Sequence, residues 1–174
     1  MTPRQHGVTL LELMVTLSIM VILMTVAVPS FQDLIRSNRL SGITTEFMGR
    51  INYARSEAVK RGIPVTLCRS ANGTACAASG AWSQGMIVFL DTNGDGSVDV
   101  GETVLRQSGG APETYTIIGS VNAITYAGNG STANTGTIAI CRDSDEARAQ
   151  NIIVTAAGTR ISTGSSEITT CDAP

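Results

Sequence analysis

The sequence predicts an α+β protein: a long N-terminal helix, first membrane-spanning and then amphipathic, packed on a disulfide-stapled antiparallel β head. Three observations carry this. An uninterrupted apolar run fills residues 8–28. A stretch with apolar residues at spacings of three and four follows it as far as Ala58. Beyond Gly62, short apolar segments alternate with Gly, Asn and Ser, and all four cysteines lie in this part. With 174 residues the chain has room for one domain and one extra element. The expected division is a polar leader at 1–7, an apolar helix at 8–29, an amphipathic helix at 30–62 and a β head at 63–174.

The first element is a membrane span. Val8 to Val28 reads VTLLELMVTLSIMVILMTVAV, about the 20 residues a helix needs to cross the hydrocarbon core. Its Thr and Ser hydroxyls can bond back to helix carbonyls and do not break it. Arg4 precedes the run, so the positive-inside tendency leaves residues 1–7 in the cytoplasm and the head outside. A secretory signal would have a shorter apolar core followed by a small-residue cut site. Here the natural cut lies before the run, which is therefore retained. Glu12 stands inside the run. A carboxylate there costs about 2.5–3.5 kcal/mol on insertion scales and marks a functional position that a cation would relieve.

Gly7-Val8-Thr9-Leu10-Leu11-Glu12-Leu13 resembles the class III signal of type IV pilins and pseudopilins, departing from it at Val8, where the family usually has Phe. The resemblance implies cleavage after Gly7 by a prepilin peptidase and N-methylation of Val8. It implies that Glu12 meets the terminal amine of a neighbouring subunit, and that residues 8–29 form the core of a filament. Pro29 falls where pilins carry a helix-kinking proline, and removes one backbone donor.

The second half of the helix is amphipathic. Leu40, Ile43, Phe47, Ile51, Ala54 and Ala58 mark one face. Glu46–Arg50 and Glu57–Arg61 are spaced for i,i+4 pairs. Gly62 and Pro64 end the helix, the first as a cap and the second by barring continuation. Six of the twelve Lys and Arg residues lie between Arg36 and Arg61; a solvated, ion-paired face is favoured over a nucleic-acid surface. The segment Asn52-Tyr53-Ala54-Arg55-Ser56-Glu57-Ala58-Val59 is similar to the A-R-S-E-A stretch of the GspH/FimT group, which includes FimT- and FimU-like minor pilins. That likeness extends over most of the chain and implies an N-terminal helix packed on antiparallel sheets.

In the head, strands are expected at Val65–Cys68, Trp82–Leu90, Thr103–Gln107, Thr114–Ile118, Ala123–Tyr126, Thr137–Cys141, Asn151–Thr155 and Thr159–Ser162, meandering between Gly- and Asn-rich turns. Residues 128–136 read as a mobile surface loop. Cys68, Cys76, Cys141 and Cys171 form no Cys-x-x-Cys pair and have no His nearby, which disfavours zinc. An even count in an exported chain favours two disulfides. Of three connectivities, Cys68–Cys76 and Cys141–Cys171 close locally and are preferred.

Residues 91–102 fit the D-x-[DN]-x-[DN]-G-x5-E calcium-loop spacing, with Asp91, Asn93, Asp95, Ser97, Asp99 and Glu102 as ligands. Against a Ca2+ site, residues 103–107 read as a strand and not a helix, and Asn-Gly and Asp-Gly are strong hairpin-turn signals. An acidic turn is the preferred reading. FimT-like minor pilins that capture DNA carry Gly-Arg-x-Arg near the C-terminus. This chain keeps Gly158 and one displaced arginine, Arg160, and a lone arginine is a weak phosphate contact.

Catalysis is disfavoured. The single His of the chain is His6, within the leader, so a mature chain has no His for a Ser-His-Asp or Cys-His system. The expectation is a non-enzymatic minor pilin that primes or tips a type IV pilus in twitching, adhesion or DNA uptake. Alternatives are a GspH-like pseudopilin of a type II secretion system and a DNA-binding minor pilin of natural transformation. The expected partners are other pilins through the helix, the prepilin peptidase, the inner-membrane assembly platform and, under the last alternative, DNA. The expected place is the inner membrane, single-pass with a periplasmic head, and then a pilus or pseudopilus at the cell surface.

Overall fold

The computed structural model describes residues 7–142, 145–163 and 171. One helix, α1 (Leu10–Arg61), runs 52 residues. It is shared between two structural units, Met1–Arg39 and Leu40–Pro174.

In the first unit the helix is apolar on every side from Leu10 to Val28 apart from Glu12, and every described residue is exposed. Thr16, Ser18 and Thr25 donate their hydroxyls to the carbonyls of Leu13, Met14 and Ile22, 2.8–2.9 Å away. These three hydroxyls are thus satisfied from within the helix. Pro29 brings no N–H to the carbonyl of Thr25, yet the helix continues unbroken across it.

In the second unit the helix buries Leu40, Thr44, Phe47, Ile51, Ala54, Glu57 and Ala58. Five of the six apolar positions expected from spacing, Leu40, Phe47, Ile51, Ala54 and Ala58, lie on this stripe; Ile43 is only half-buried. Thr44 joins them because its hydroxyl donates to the Leu40 carbonyl at 2.9 Å, leaving no unpaired buried donor. Gly62, at φ 69°, donates its N–H to the Ala58 carbonyl and stops the helix in the left-handed conformation that glycine adopts without penalty.

Eight strands follow: β1 (Val65–Arg69), β2 (Met86–Leu90), β3 (Val104–Ser108), β4 (Tyr115–Gly119), β5 (Ala123–Tyr126), β6 (Gly136–Arg142), β7 (Asp145–Thr155) and β8 (Gly158–Thr163). They make two four-stranded antiparallel sheets, ordered β3-β2-β1-β5 and β4-β6-β7-β8. The chain therefore does not simply meander. β4 leaves for the second sheet, β5 returns to pair with β1, and only then does the second sheet fill. One core joins the helix stripe to Val65, Leu67, Val88, Ile124 and Tyr126 of the first sheet and Ile138, Ile140, Ile152 and Val154 of the second. Phe47 meets Trp82 edge-on, with ring centroids 5.4 Å apart. The run Met86–Phe89 is apolar on both faces because both are covered: Ile87 and Phe89 turn away from the helix onto Cys68, Val98 and Val104.

Two further expectations are corrected. Trp82–Gln84 is a short 3-10 helix, not the start of a strand. Gly85 (φ 133°) sits so close to Ser70 and Ser108 that a Cβ would come within 2.8 Å of their carbonyls, and this turn delivers the indole to the core. There its N–H donates to the Val121 carbonyl at 3.0 Å. Residues 128–136 are not a loose loop. Thr132 is buried and bridges Tyr126, Ala127 and Ser131 are hydrogen-bonded, and Gly128 lies against the backbone of Gly62.

Cys68 is bonded to Cys76 and Cys141 to Cys171. The loop closed by the first disulfide is also held by Arg69, whose guanidinium donates to the carbonyls of Ala77, Ala78 and Gly80. Three carbonyl acceptors satisfy a cation that is only 8% exposed.

Candidate functional site

The first candidate region begins at Thr9, where the helix starts. Thr9 Oγ1 accepts the Glu12 N–H at 3.2 Å, and the Thr9 carbonyl accepts the Leu13 N–H. This is half of a capping box, Thr-x-x-Glu, a spacing present in the sequence and not read there as a cap. Glu12 consequently lies in the first turn, where the helix dipole favours a carboxylate. Its side chain is exposed, and among the described residues no ion pair reaches it. Around it, Leu10, Leu11, Leu13 and Met14 are exposed, as are the large apolar residues that follow to Ile35. The helix is long and apolar enough to cross a membrane by length and composition, and none of its most apolar window is buried within the chain. Gly7 and Val8 precede it, both exposed.

The second candidate is the acidic loop between β2 and β3. Asp91 is fully buried. Its Oδ1 accepts the N–H groups of Gly94 and Asp95, and its Oδ2 accepts the N–H of Gly96 and the hydroxyl of Thr66 at 2.6 Å. Glu102 Oε1 accepts the N–H and hydroxyl of Thr92, and Oε2 accepts the Asp99 N–H. Asn93 donates its amide to Asp95 and Asp99, while Ser97 donates its N–H to Asp95. The two ends of the calcium pattern thus commit their oxygens to N–H and O–H donors of the loop and of β1. Among the described residues no three acidic, His or Cys side chains gather as a metal cage. As arranged, these residues form a hydrogen-bonded turn hung from Asp91. Burial of Asp91 beside Thr66 was invisible in the spacing, because β1 is separated from it in sequence.

The remaining sequence candidates are dispersed. Arg160 is exposed on β8, paired opposite Ile153. Arg55, in the A-R-S-E-A stretch, donates to the Ala157 carbonyl at 3.3 Å and so binds the helix to the β7–β8 turn. Glu57 of the same stretch is buried and accepts from Arg61 at 2.6 Å, with Lys60 at 3.8 Å. That hydrogen bond, helped by the charges of Arg61, Lys60 and Arg106 and opposed by burial, holds its carboxyl below the usual glutamate range. These residues of the motif serve the fold. A groove of about 230 Å³ runs between Phe47, Trp82, Met86 and Ile117, rimmed by the Glu46–Arg50 pair. It gathers no paired acid and base.

Comparison with known proteins places these features. Residues 44–158 match the family model described as type II transport protein GspH, and residues 2–28 match the prokaryotic N-terminal methylation motif. The fold is similar to that of the type IV minor pilin FimU from Pseudomonas aeruginosa strain PAO1 in two crystal forms. In the first, the TM-score is 0.59 at 23% identity, over 81% of this chain and 96% of the other. In the second it is 0.53 at 23% identity, over 77% and 96%. No curated protein sequence matches significantly.

Proposed function

The chain belongs to the GspH family of pilin-like proteins, and from that premise we propose that it is a minor pilin, a non-enzymatic subunit that primes or tips a type IV pilus. The observation that carries this reading is the exposed apolar helix with a carboxylate in its first turn. Such a surface demands an apolar environment that the chain does not itself supply, first the bilayer and then neighbouring helices. In this reading a prepilin peptidase cuts after Gly7, Val8 becomes the methylated terminus, and the Glu12 carboxylate receives the terminal amine of the adjacent subunit. Pro29 relaxes the helix as it packs. The head waits in the periplasm, anchored in the inner membrane next to the assembly platform.

The test is Glu12→Ala, scored by the amount of protein in sheared filaments against the amount in membranes. Less than about a tenth of wild-type incorporation is expected, with the head still folded, since the variant has no carboxylate to pair with the neighbour's terminal amine in an apolar setting. Wild-type incorporation would overturn the assigned role. A second reading, a pseudopilin of a type II secretion system, is favoured by the description of the matching family model. Deletion separates the two: loss of surface filaments supports the first, and loss of secreted enzymes with filaments intact supports the second.

A further inference from the structure

Three Asn-Gly pairs lie in the loops of the head: Asn72–Gly73, Asn93–Gly94 and Asn129–Gly130. This dipeptide is open to slow self-modification, and Asn is among the residues depleted where chains must outlast heat. The glycine nitrogen attacks the asparagine Cγ. The N–Cγ bond forms, the Cγ–Nδ2 bond breaks, and ammonia leaves with the proton that the glycine nitrogen gives up. Water then opens the cyclic imide at one carbonyl or the other, giving aspartate or isoaspartate. A glycine leaves the approach unhindered, having no Cβ.

At each site the glycine N–H already has an acceptor, and the asparagine carboxamide is held by its own turn. The Gly73 N–H donates to Ser70 Oγ at 3.0 Å, the Gly94 N–H to Asp91 Oδ1 at 2.8 Å, and the Gly130 N–H to the Ala127 carbonyl at 2.8 Å. Asn72 Oδ1 accepts the N–H groups of Thr74 and Ala75, Asn93 Oδ1 that of Asp95, and Asn129 Oδ1 that of Ser131. The glycines sit at φ 75°, 75° and 78° in the turns these bonds define. Imide closure needs the nitrogen stripped of its proton and brought to about 3–3.5 Å along the line of attack. An acceptor on the N–H stabilises the protonated amide, and a carboxylate does so most, because negative charge nearby disfavours losing a proton.

We propose that the fold locks all three Asn-Gly sites against imide formation, so that each is modified only when its loop opens. Asn93 is the slowest, since the acceptor at Gly94 is the buried carboxylate of Asp91. Asn72 is the fastest, since its lock is a single serine hydroxyl.

The test uses the full-length protein in detergent, held in mildly alkaline buffer for days with and without urea. Conversion at each asparagine is read by peptide mass spectrometry. Native rates about tenfold or more below the unfolded rates are expected at all three sites, as loop opening limits them. The variant Ser70→Ala removes the acceptor of Gly73 and is expected to raise conversion at Asn72 several-fold while Asn129 stays at its wild-type rate. Equal native and unfolded rates in the wild type would overturn the proposal, as would a Ser70→Ala protein that is folded and converts Asn72 no faster. Should that variant unfold, all three sites rise together, and the wild-type comparison decides alone.

Discussion

Within helix α1, residues 10–39 and residues 40–61 share one backbone conformation and differ in what their side chains face. The first stretch is apolar around its circumference as far as Val28, Glu12 apart, and buries nothing in its own chain. The second confines its apolar side chains to one stripe, buries them against two sheets, and puts Glu46–Arg50 and Glu57–Arg61 pairs at its margins. Helical conformation is thus common to both, while the reason for it differs. Intrachain packing stabilises the second stretch. From Leu10 to Val28 the first bonds its Thr16, Ser18 and Thr25 hydroxyls to its own carbonyls and leaves its apolar groups exposed, the arrangement a hydrocarbon environment rewards.

The contrast is broken most strongly by truncating one side chain in each stretch. Phe47→Ala removes a ring that is 1% exposed and touches Trp82, and is expected to cost about 3–5 kcal/mol in denaturant unfolding of the head. Leu17→Ala, at 53% exposure, is expected to change that unfolding by under about 0.5 kcal/mol. Equal effects would mean that the two stretches are not energetically separate.

Glycines sharpen the comparison further. Gly128→Ala would place a methyl 2.5 Å from the backbone of Gly62, where the helix ends, and is expected to lower stability by about 1–3 kcal/mol. Gly49→Ala, on the open face of the helix, meets nothing within 4 Å and is expected to raise stability by about 0.5–1 kcal/mol in the same thermal melt.

A smaller effect comes from Glu57. Its folded-state carboxyl titrates below the ordinary range, so the stabilisation it gives is complete above that range and is lost as pH falls through the folded value. Thermal midpoints of the wild type should therefore fall on acidification more than those of Glu57→Gln; parallel curves would refute the assignment. The least change is expected from calcium. With Asp91 and Glu102 committed to the N–H groups of the loop, added Ca2+ should leave the melting temperature where it was. A rise would show that the loop rearranges into the spacing its sequence carries.

Much of this architecture is legible in the residues because the signals are local. A 3.6-residue period at Leu40–Ala58, a Gly cap followed by Pro64, and the short Cys68–Cys76 separation all act within a few turns of chain. What escaped was decided across the fold. Trp82 looks like a strand residue until Gly85 is seen to be pressed against two neighbouring carbonyls. Thr44 and Glu57 look like surface residues until their hydrogen bonds within the helix are counted. The crossing of β4 and β5 between sheets has no local marker, since either strand could pair with either sheet by pattern alone. The candidate site divides the same way. The apolar helix was plain from composition, whereas the hydrogen bonding of the acidic loop depends on the burial of Asp91 beside β1.

Cys171 is fastened to Cys141 on β6, an inner strand of its sheet. A protease that nicks the exposed turn at Ala156–Ala157 would therefore cut the polypeptide without releasing either piece. On a gel the nicked protein would run as one band until a thiol is added and as two afterwards. The head can accumulate such breaks and still remain one covalently joined molecule.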